Sequence, residues 1–163
     1  MPMKTIYLVR HAKASRDEKG IRDWERPLTV TGIYRAQKVA KKLSDKKILP
    51  GRIITSHAFR SLNTALIFAL NLRYPVSALE ISASLYEKKA SDILDTLKKQ
   101  DDSISSIMLF GHNPSISDLC NHLTRKKTMD LPTSAVICIQ FKTAKWNDIG
   151  KYAGKTTFTE SGK

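Results

Sequence analysis

The chain is predicted to be an α/β protein, a three-layer α/β/α sandwich around a mostly parallel central sheet. Short apolar runs such as Thr5-Ile6-Tyr7-Leu8-Val9 and Ile107-Met108-Leu109-Phe110 alternate with segments of helical periodicity. Strands separated by helices imply parallel pairing, with both faces of the sheet covered. The length, 163 residues, suits one domain, 1–163, able to bury most of the surface its unfolded form exposes.

Taken in order, residues 4–9 read as a buried strand. Residues 12–27 are polar and charged and fit neither period, which marks a long functional loop. A helix follows over 31–47, with Ile33, Ala36, Ala40 and Leu43 on one face, Thr31 as its N-cap and Pro50-Gly51 as its terminator. Residues 52–55 form a second short strand. After Ser56-His57, a helix over about 58–70 turns Phe59, Leu62, Leu66 and Ala69 inward. A strand at 80–84 precedes a helix at 91–99 built on Ile93, Leu94 and Leu97. A strand at 105–110 precedes a helix at 115–124 built on Ile116, Leu119 and Leu123, and 135–141 is the fifth strand. Residues 143–163 are polar apart from Trp146, Ile149, Tyr152 and Phe158, and are expected as edge strands or a partly disordered tail.

Composition narrows the function classes. A 41% hydrophobic and 26% charged chain matches ordinary soluble globular proteins. No apolar stretch approaches the ~20 residues of a membrane span, so no membrane partner is expected. Met1-Pro2-Met3-Lys4 leads straight into the first strand, so no leader is expected. Cys120 and Cys138 lack metal-type spacing and read as buried free thiols. Both features predict a cytoplasmic protein. Lys and Arg number 28 against 15 Asp and Glu, a net charge of +13. They are spread along the chain, with Arg125-Lys126-Lys127 the only uninterrupted run of three. No nucleic-acid-binding signature accompanies them, so nucleic acid is disfavoured and a surface that attracts anionic substrates is preferred.

The chemistry gathers at strand ends, where ligands bind in open α/β sheets. Arg10-His11 closes the first strand and Gly111-His112-Asn113-Pro114 follows the fourth. A neutral imidazole at His11 can attack phosphorus in line, dividing one difficult transfer into two easier ones. The guanidinium forks of Arg10 and Arg60 match phosphate oxygens. Arg60 falls in the first turn of its helix, where a cation opposes the helix dipole unless an anion binds there. His112 would donate a hydrogen bond to a phosphoryl oxygen. His57, Trp24, Ser15 and Arg16 stand near these motifs without a fixed role, and His122 lies mid-helix.

These segments resemble the histidine phosphatase superfamily, the phosphoglycerate mutase-like branch. Leu8-Val9-Arg10-His11-Ala12 resembles its Arg-His signature, with Ala where many members have Gly. The segment from Ser56-His57-Ala58-Phe59-Arg60 to Asn63-Thr64-Ala65 resembles its second arginine motif, with His57-Ala58 where Ser-Pro is common and Asn63 where Gln is usual. Gly111-His112-Asn113-Pro114 resembles the second-histidine motif. The short form Arg10-His11-Ala12-Lys13-Ala14, followed by Arg26-Pro27-Leu28-Thr29 and Gly32, looks most like small SixA-type phosphohistidine phosphatases.

The resemblance implies a phosphate pocket of Arg10, His11, Arg60 and His112, with His11 phosphorylated and neither metal nor cofactor required. It also implies a carboxyl acid for alkyl leaving groups. Leu85-Tyr86-Glu87 matches that spacing, while Asp23 competes for the role. Phosphohistidine in a protein is the favoured substrate, and small phosphomonoesters are the alternative. A non-catalytic phosphate- or polyanion-binding module is the alternative from another class. The sequence leaves the oligomeric state open.

Overall fold

The structure, a computed structural model, describes residues 2–16, 19–125, 127 and 130–162; Lys126, at the centre of the basic run, lies outside them. The first apolar run, β1 (Lys4–Arg10), becomes the middle of the sheet. It is followed by α1 (Val30–Asp45), β2 (Arg52–Thr55), α2 (Phe59–Asn71), β3 (Glu80–Ile81), α3 (Ala90–Lys98), β4 (Ser106–Gly111), α4 (Ser115–Leu123), β5 (Val136–Phe141) and β6 (Lys155–Glu160). The strand order is β3-β2-β4-β1-β5-β6.

Strands β1, β2, β3 and β4 pair in parallel, while β5 and β6 are antiparallel to their neighbours. The right-handed crossover rule accounts for the layers. The steps from β1 to β2 and from β2 to β3 go the same way across the sheet, so α1 and α2 share one face. The step from β3 to β4 returns, and α3 lies on the other face.

Alternation along β1 feeds both cores. Ile6 and Leu8 join Ile107, Leu109, Ile137 and Ile139 beneath α3 and α4, whose Ile93, Leu97, Ile116 and Leu119 are buried. Val9 joins Ile53, Met108 and Phe110 beneath α1 and α2. There Phe68 meets Phe110 edge to face, with centroids 5.1 Å apart. Cys120 and Cys138 are buried and unbridged. No helix among the described residues is long and apolar enough to cross a membrane.

Several expected details differ. The N-cap of α1 is Thr29, not Thr31: its Oγ1 accepts from Gly32 N–H at 2.9 Å. Ile33 is 39% exposed, and Val39 is buried on this face instead. The inward face of α2 keeps Ala69 buried as expected but is otherwise rotated from the expected one. Ser61, Thr64, Ala65 and Phe68 are buried, whereas Phe59 is 41% exposed. Polar groups at the sheet edge cause the rotation: Thr64 Oγ1 accepts from Ala12 N–H at 2.9 Å, and Ser61 Oγ lies 3.0 Å from Thr55 Oγ1. The third strand shrinks to two residues before a 3₁₀ turn at Ala83–Leu85. The tail supplies the edge strand β6 and buries Trp146.

The loop after β1 is held to α1. Ala14 bridges Leu28, and Thr29 N–H donates to Lys13 O at 2.9 Å. Gly32 makes this approach possible, because a Cβ there would lie 2.2 Å from Lys13 O. Backbone cannot yield as a flexible side-chain tip does. Gly32→Ala is therefore expected to lower stability by about 1–3 kcal/mol in urea unfolding; an unchanged midpoint would contradict this packing.

Candidate active site

The site is assembled at the carboxyl ends of β1, β2 and β4. His11 follows the last residue of β1, and its backbone is fixed on two sides. Its N–H donates to Gly111 O at 3.0 Å, while Ser134 N–H reaches Arg10 O and His11 O at 3.1 and 3.2 Å. The imidazole Nδ1 lies 2.7 Å from Ala12 O. A carbonyl only accepts, so Nδ1 carries the proton and Nε2 keeps its lone pair.

The other predicted pocket residues surround this ring. The His112 ring is 5.1 Å from that of His11, centroid to centroid. Its Nε2 lies 2.7 Å from Ser56 Oγ. Arg10 Nη1 donates to Leu131 O at 2.8 Å, and Asn113 Nδ2 donates to the same carbonyl at 3.1 Å. This ties the first arginine to the turn that carries His112. Arg60 is buried in the first turn of α2. Its Nη1 donates to Asp23 O at 2.8 Å and its Nη2 to Asp23 Oδ2 at 3.0 Å. Arg10 Nε, Arg60 Nε and His112 Nδ1 are buried without a hydrogen-bond partner among the described residues. Buried polar atoms are costly to leave unpaired, so these three are suited to contact with a polar ligand.

The electrostatics follow from burial among cations. Burial pushes the His11 pKa down to about 4, against the Ala12 hydrogen bond, and the charges of Arg60, Arg10 and Arg26 push the same way. Burial takes His112 down to about 3, helped by His11 and Arg60 and opposed by Asp23. Both rings are therefore neutral near pH 7. Asp23 moves in its own favoured direction, down to about 2. A hydrogen bond from Tyr86 Oη at 2.5 Å contributes most, and Arg60 and Arg26 add to it against a desolvation penalty. Asp23 is thus a fixed carboxylate that closes a Tyr86–Asp23–Arg60 chain, and Arg26 Nε reaches it at 3.1 Å.

A cavity of about 690 Å³ opens beside this cluster, with Asp23, Arg60, Tyr86, Glu87 and His112 on its walls. Glu87 is exposed there, on left-handed backbone at φ 52°. Both candidate acids thus border the same space. His57 packs between Trp24 and Tyr86, with centroids 6.3 and 4.8 Å away, and Trp24 stands edge-on to Phe59. The Ser15 carbonyl accepts from Arg26 Nη1 at 2.7 Å. Arg16 and His122 are exposed. Sequence reasoning missed Ser56, Tyr86 and the contacts of Leu131 and Ser134. Ser56 and Tyr86 adjoin motif residues, but only tertiary contacts distinguish them.

Comparison with known proteins bears on the family and the fold. The model of the histidine phosphatase superfamily (branch 1) matches residues 6–89, and the chain belongs to that family. An uncharacterized chloroplastic protein of Arabidopsis thaliana is 31% identical over 130 residues. The match covers 74% of this chain but 59% of that protein's length.

Solved structures share the fold. The SixA protein of Agrobacterium tumefaciens superposes with a TM-score of 0.84 at 22% identity, covering 98% of each chain. The protein histidine phosphatase SixA, in complex with tungstate, gives 0.83 at 20% identity over 97% of each. A phosphoglycerate mutase of Bacillus anthracis gives 0.67 at 15% identity, covering 96% of this chain and 93% of that one. The fold is thus phosphoglycerate mutase-like, with the SixA proteins matching it at the higher scores.

The two neutral rings also make stability depend on pH. Their folded pKa values lie below the ~6.5 of an unfolded histidine, so the unfolded chain binds protons first as pH falls. Their contribution is complete above about 6.5 and is lost progressively toward about 4 for His11 and about 3 for His112. Between pH 7 and 4.5, urea titrations should show a loss on the order of 2 kcal/mol, after allowance for screening. The His11→Asn/His112→Asn variant should lose most of that slope. An equal slope in both proteins would mean that the rings are not held neutral.

Proposed function

We propose that the chain is a metal-independent phosphatase that works through a phosphohistidine on His11 and removes phosphate from phosphohistidine in a protein. The observation that carries this reading is the Nδ1–Ala12 O hydrogen bond, which leaves a lone pair on Nε2 of a ring that feels the charges of Arg60 and Arg10. A module that only binds anions has no need of a neutral imidazole among cations.

In the first step, Nε2 of His11 attacks phosphorus as the bond to the leaving group breaks. Arg10, Arg60 and His112 hold the equatorial oxygens, whose negative charge the fixed donors stabilise. In the second step, water attacks the phosphohistidine, releasing inorganic phosphate and restoring neutral His11. Glu87 is the proposed acid and base. It would protonate a leaving alkoxide and then take a proton from the attacking water. Asp23, ionised and bonded to Arg60, suits the holding of that guanidinium better than donation of a proton.

Protein phosphohistidine as substrate is supported by the open cavity and by the likeness to a protein histidine phosphatase, SixA. Protonated imidazole leaves more readily than alkoxide, so acid help of about 10²–10⁴-fold is less essential. Small phosphomonoesters are the second reading, favoured by the place of Glu87 on the cavity wall.

Hydrolysis of an aryl phosphate should survive chelator and vanish in His11→Ala. Activity lost to chelator, or kept in the variant, would contradict the mechanism. Arg10→Ala and Arg60→Ala should each lower turnover by about 10²–10³-fold with the fold intact; wild-type rates would remove the clamps. Glu87→Gln should slow alkyl phosphate cleavage more than phosphohistidine cleavage, whereas identical losses would rule it out as the acid.

A further inference from the structure

Strands β2 and β4 run parallel, with Thr55 opposite Phe110. Ser56 and His112 therefore leave the sheet side by side, one and two residues beyond that pair. Ser56 N–H donates to Phe110 O at 3.3 Å, its carbonyl accepts from Thr55 Oγ1 at 3.1 Å, and its side chain is fully buried. The only hydrogen-bond partner of Ser56 Oγ among the described residues is His112 Nε2, at 2.7 Å.

This exclusivity fixes the direction of the bond. A buried hydroxyl that donates nowhere else leaves a polar hydrogen unsatisfied unless it donates to Nε2. Nε2 must then present its lone pair, and the single proton of the neutral ring resides on Nδ1. Nδ1 is buried and has no hydrogen-bond partner among the described residues. The opposite tautomer would bring a lone pair, instead of a donor, to a phosphoryl oxygen.

We propose that Ser56 is a positioning residue that sets the tautomer of His112, donating to Nε2 so that Nδ1–H is held ready for a phosphoryl oxygen. This rests on the reading of His112 as a phosphate donor. The hydroxyl serves both protonation states. If an arriving anion draws a second proton onto the ring, Nε2–H can donate to the same Oγ after the hydroxyl rotates. The charged and titratable groups near His112 are His11, Arg60, Asp23, His57 and Tyr86. None of them is bonded to Nε2.

The test combines ¹⁵N NMR of the His112 ring with kinetics, using the full chain. In the ligand-free wild-type protein at pH 7, the ring should show the Nδ1–H tautomer. Ser56→Ala should admit the Nε2–H tautomer and lower kcat on aryl phosphate about tenfold to a hundredfold, with KM little changed. Ser56→Thr, which keeps the hydroxyl, should restore the wild-type tautomer and much of kcat. An Nε2–H ring in the wild type would overturn the proposal. So would a Ser56→Ala protein with unchanged tautomer and rate, or a threonine variant no better than alanine in both readouts. The wild-type spectrum requires neither turnover nor a stable variant. Absence of phosphatase activity would therefore count against the proposed function, while the spectrum alone would still decide the tautomer.

Discussion

One hydrogen bond, from His11 Nδ1 to Ala12 O, decides whether the rest of the site can do chemistry. It commits one ring nitrogen to the backbone and leaves a lone pair on the other, the atom proposed to attack. Its geometry is secure because the backbone on either side is held. The β1–β4 ladder continues through His11 N–H to Gly111 O, Ser134 N–H reaches the carbonyls of Arg10 and His11, and Ala12 N–H donates to Thr64 on α2. Central placement of β1 in the sheet thus becomes orientation of an imidazole. Buried Thr64 of α2, which looks misplaced on a helix face, serves the same end.

Charge balance is the second constraint. A guanidinium in the first turn of α2 opposes the helix dipole, and without compensation would be costly. Asp23 supplies the compensation from a loop far earlier in the chain, and Tyr86 fixes Asp23 in turn. The result is a cationic pocket in which two histidines stay neutral. Such a pocket suits the proposed phosphoryl dianion and the proposed role of an unprotonated His11 as nucleophile. The side of Arg60 that faces Asp23 is satisfied, and its buried Nε has no hydrogen-bond partner among the described residues. This division lets one arginine be both anchored and available.

How much of this is legible in the sequence depends on the range of the interactions. The ends of β1 and β4 can be read because apolar runs stop abruptly at Arg10-His11 and Gly111-His112, and the structure brings these residues together with Arg60. The phase of α2 cannot, since Ser61 and Thr64 face inward for hydrogen bonds to distant backbone and side chains instead of for hydrophobicity. The N-cap of α1 lies two residues before the expected one, because Thr29 and Thr31 are equivalent without knowledge of which hydroxyl meets Gly32. Antiparallel β5 is invisible to periodicity, which does not encode strand direction. Ser56 and Tyr86 acquire meaning only once His112 and Asp23 are placed beside them.

The most direct measurement is the chemical form of the phosphoenzyme. Protein mixed with aryl phosphate, quenched in alkali and examined by ³¹P NMR with peptide mapping should carry phosphorus on Nε2 of His11. Phosphorus on Nδ1 of His11, or on another residue of a fully active protein, would contradict the account, because the nitrogen bonded to Ala12 has no free lone pair to give.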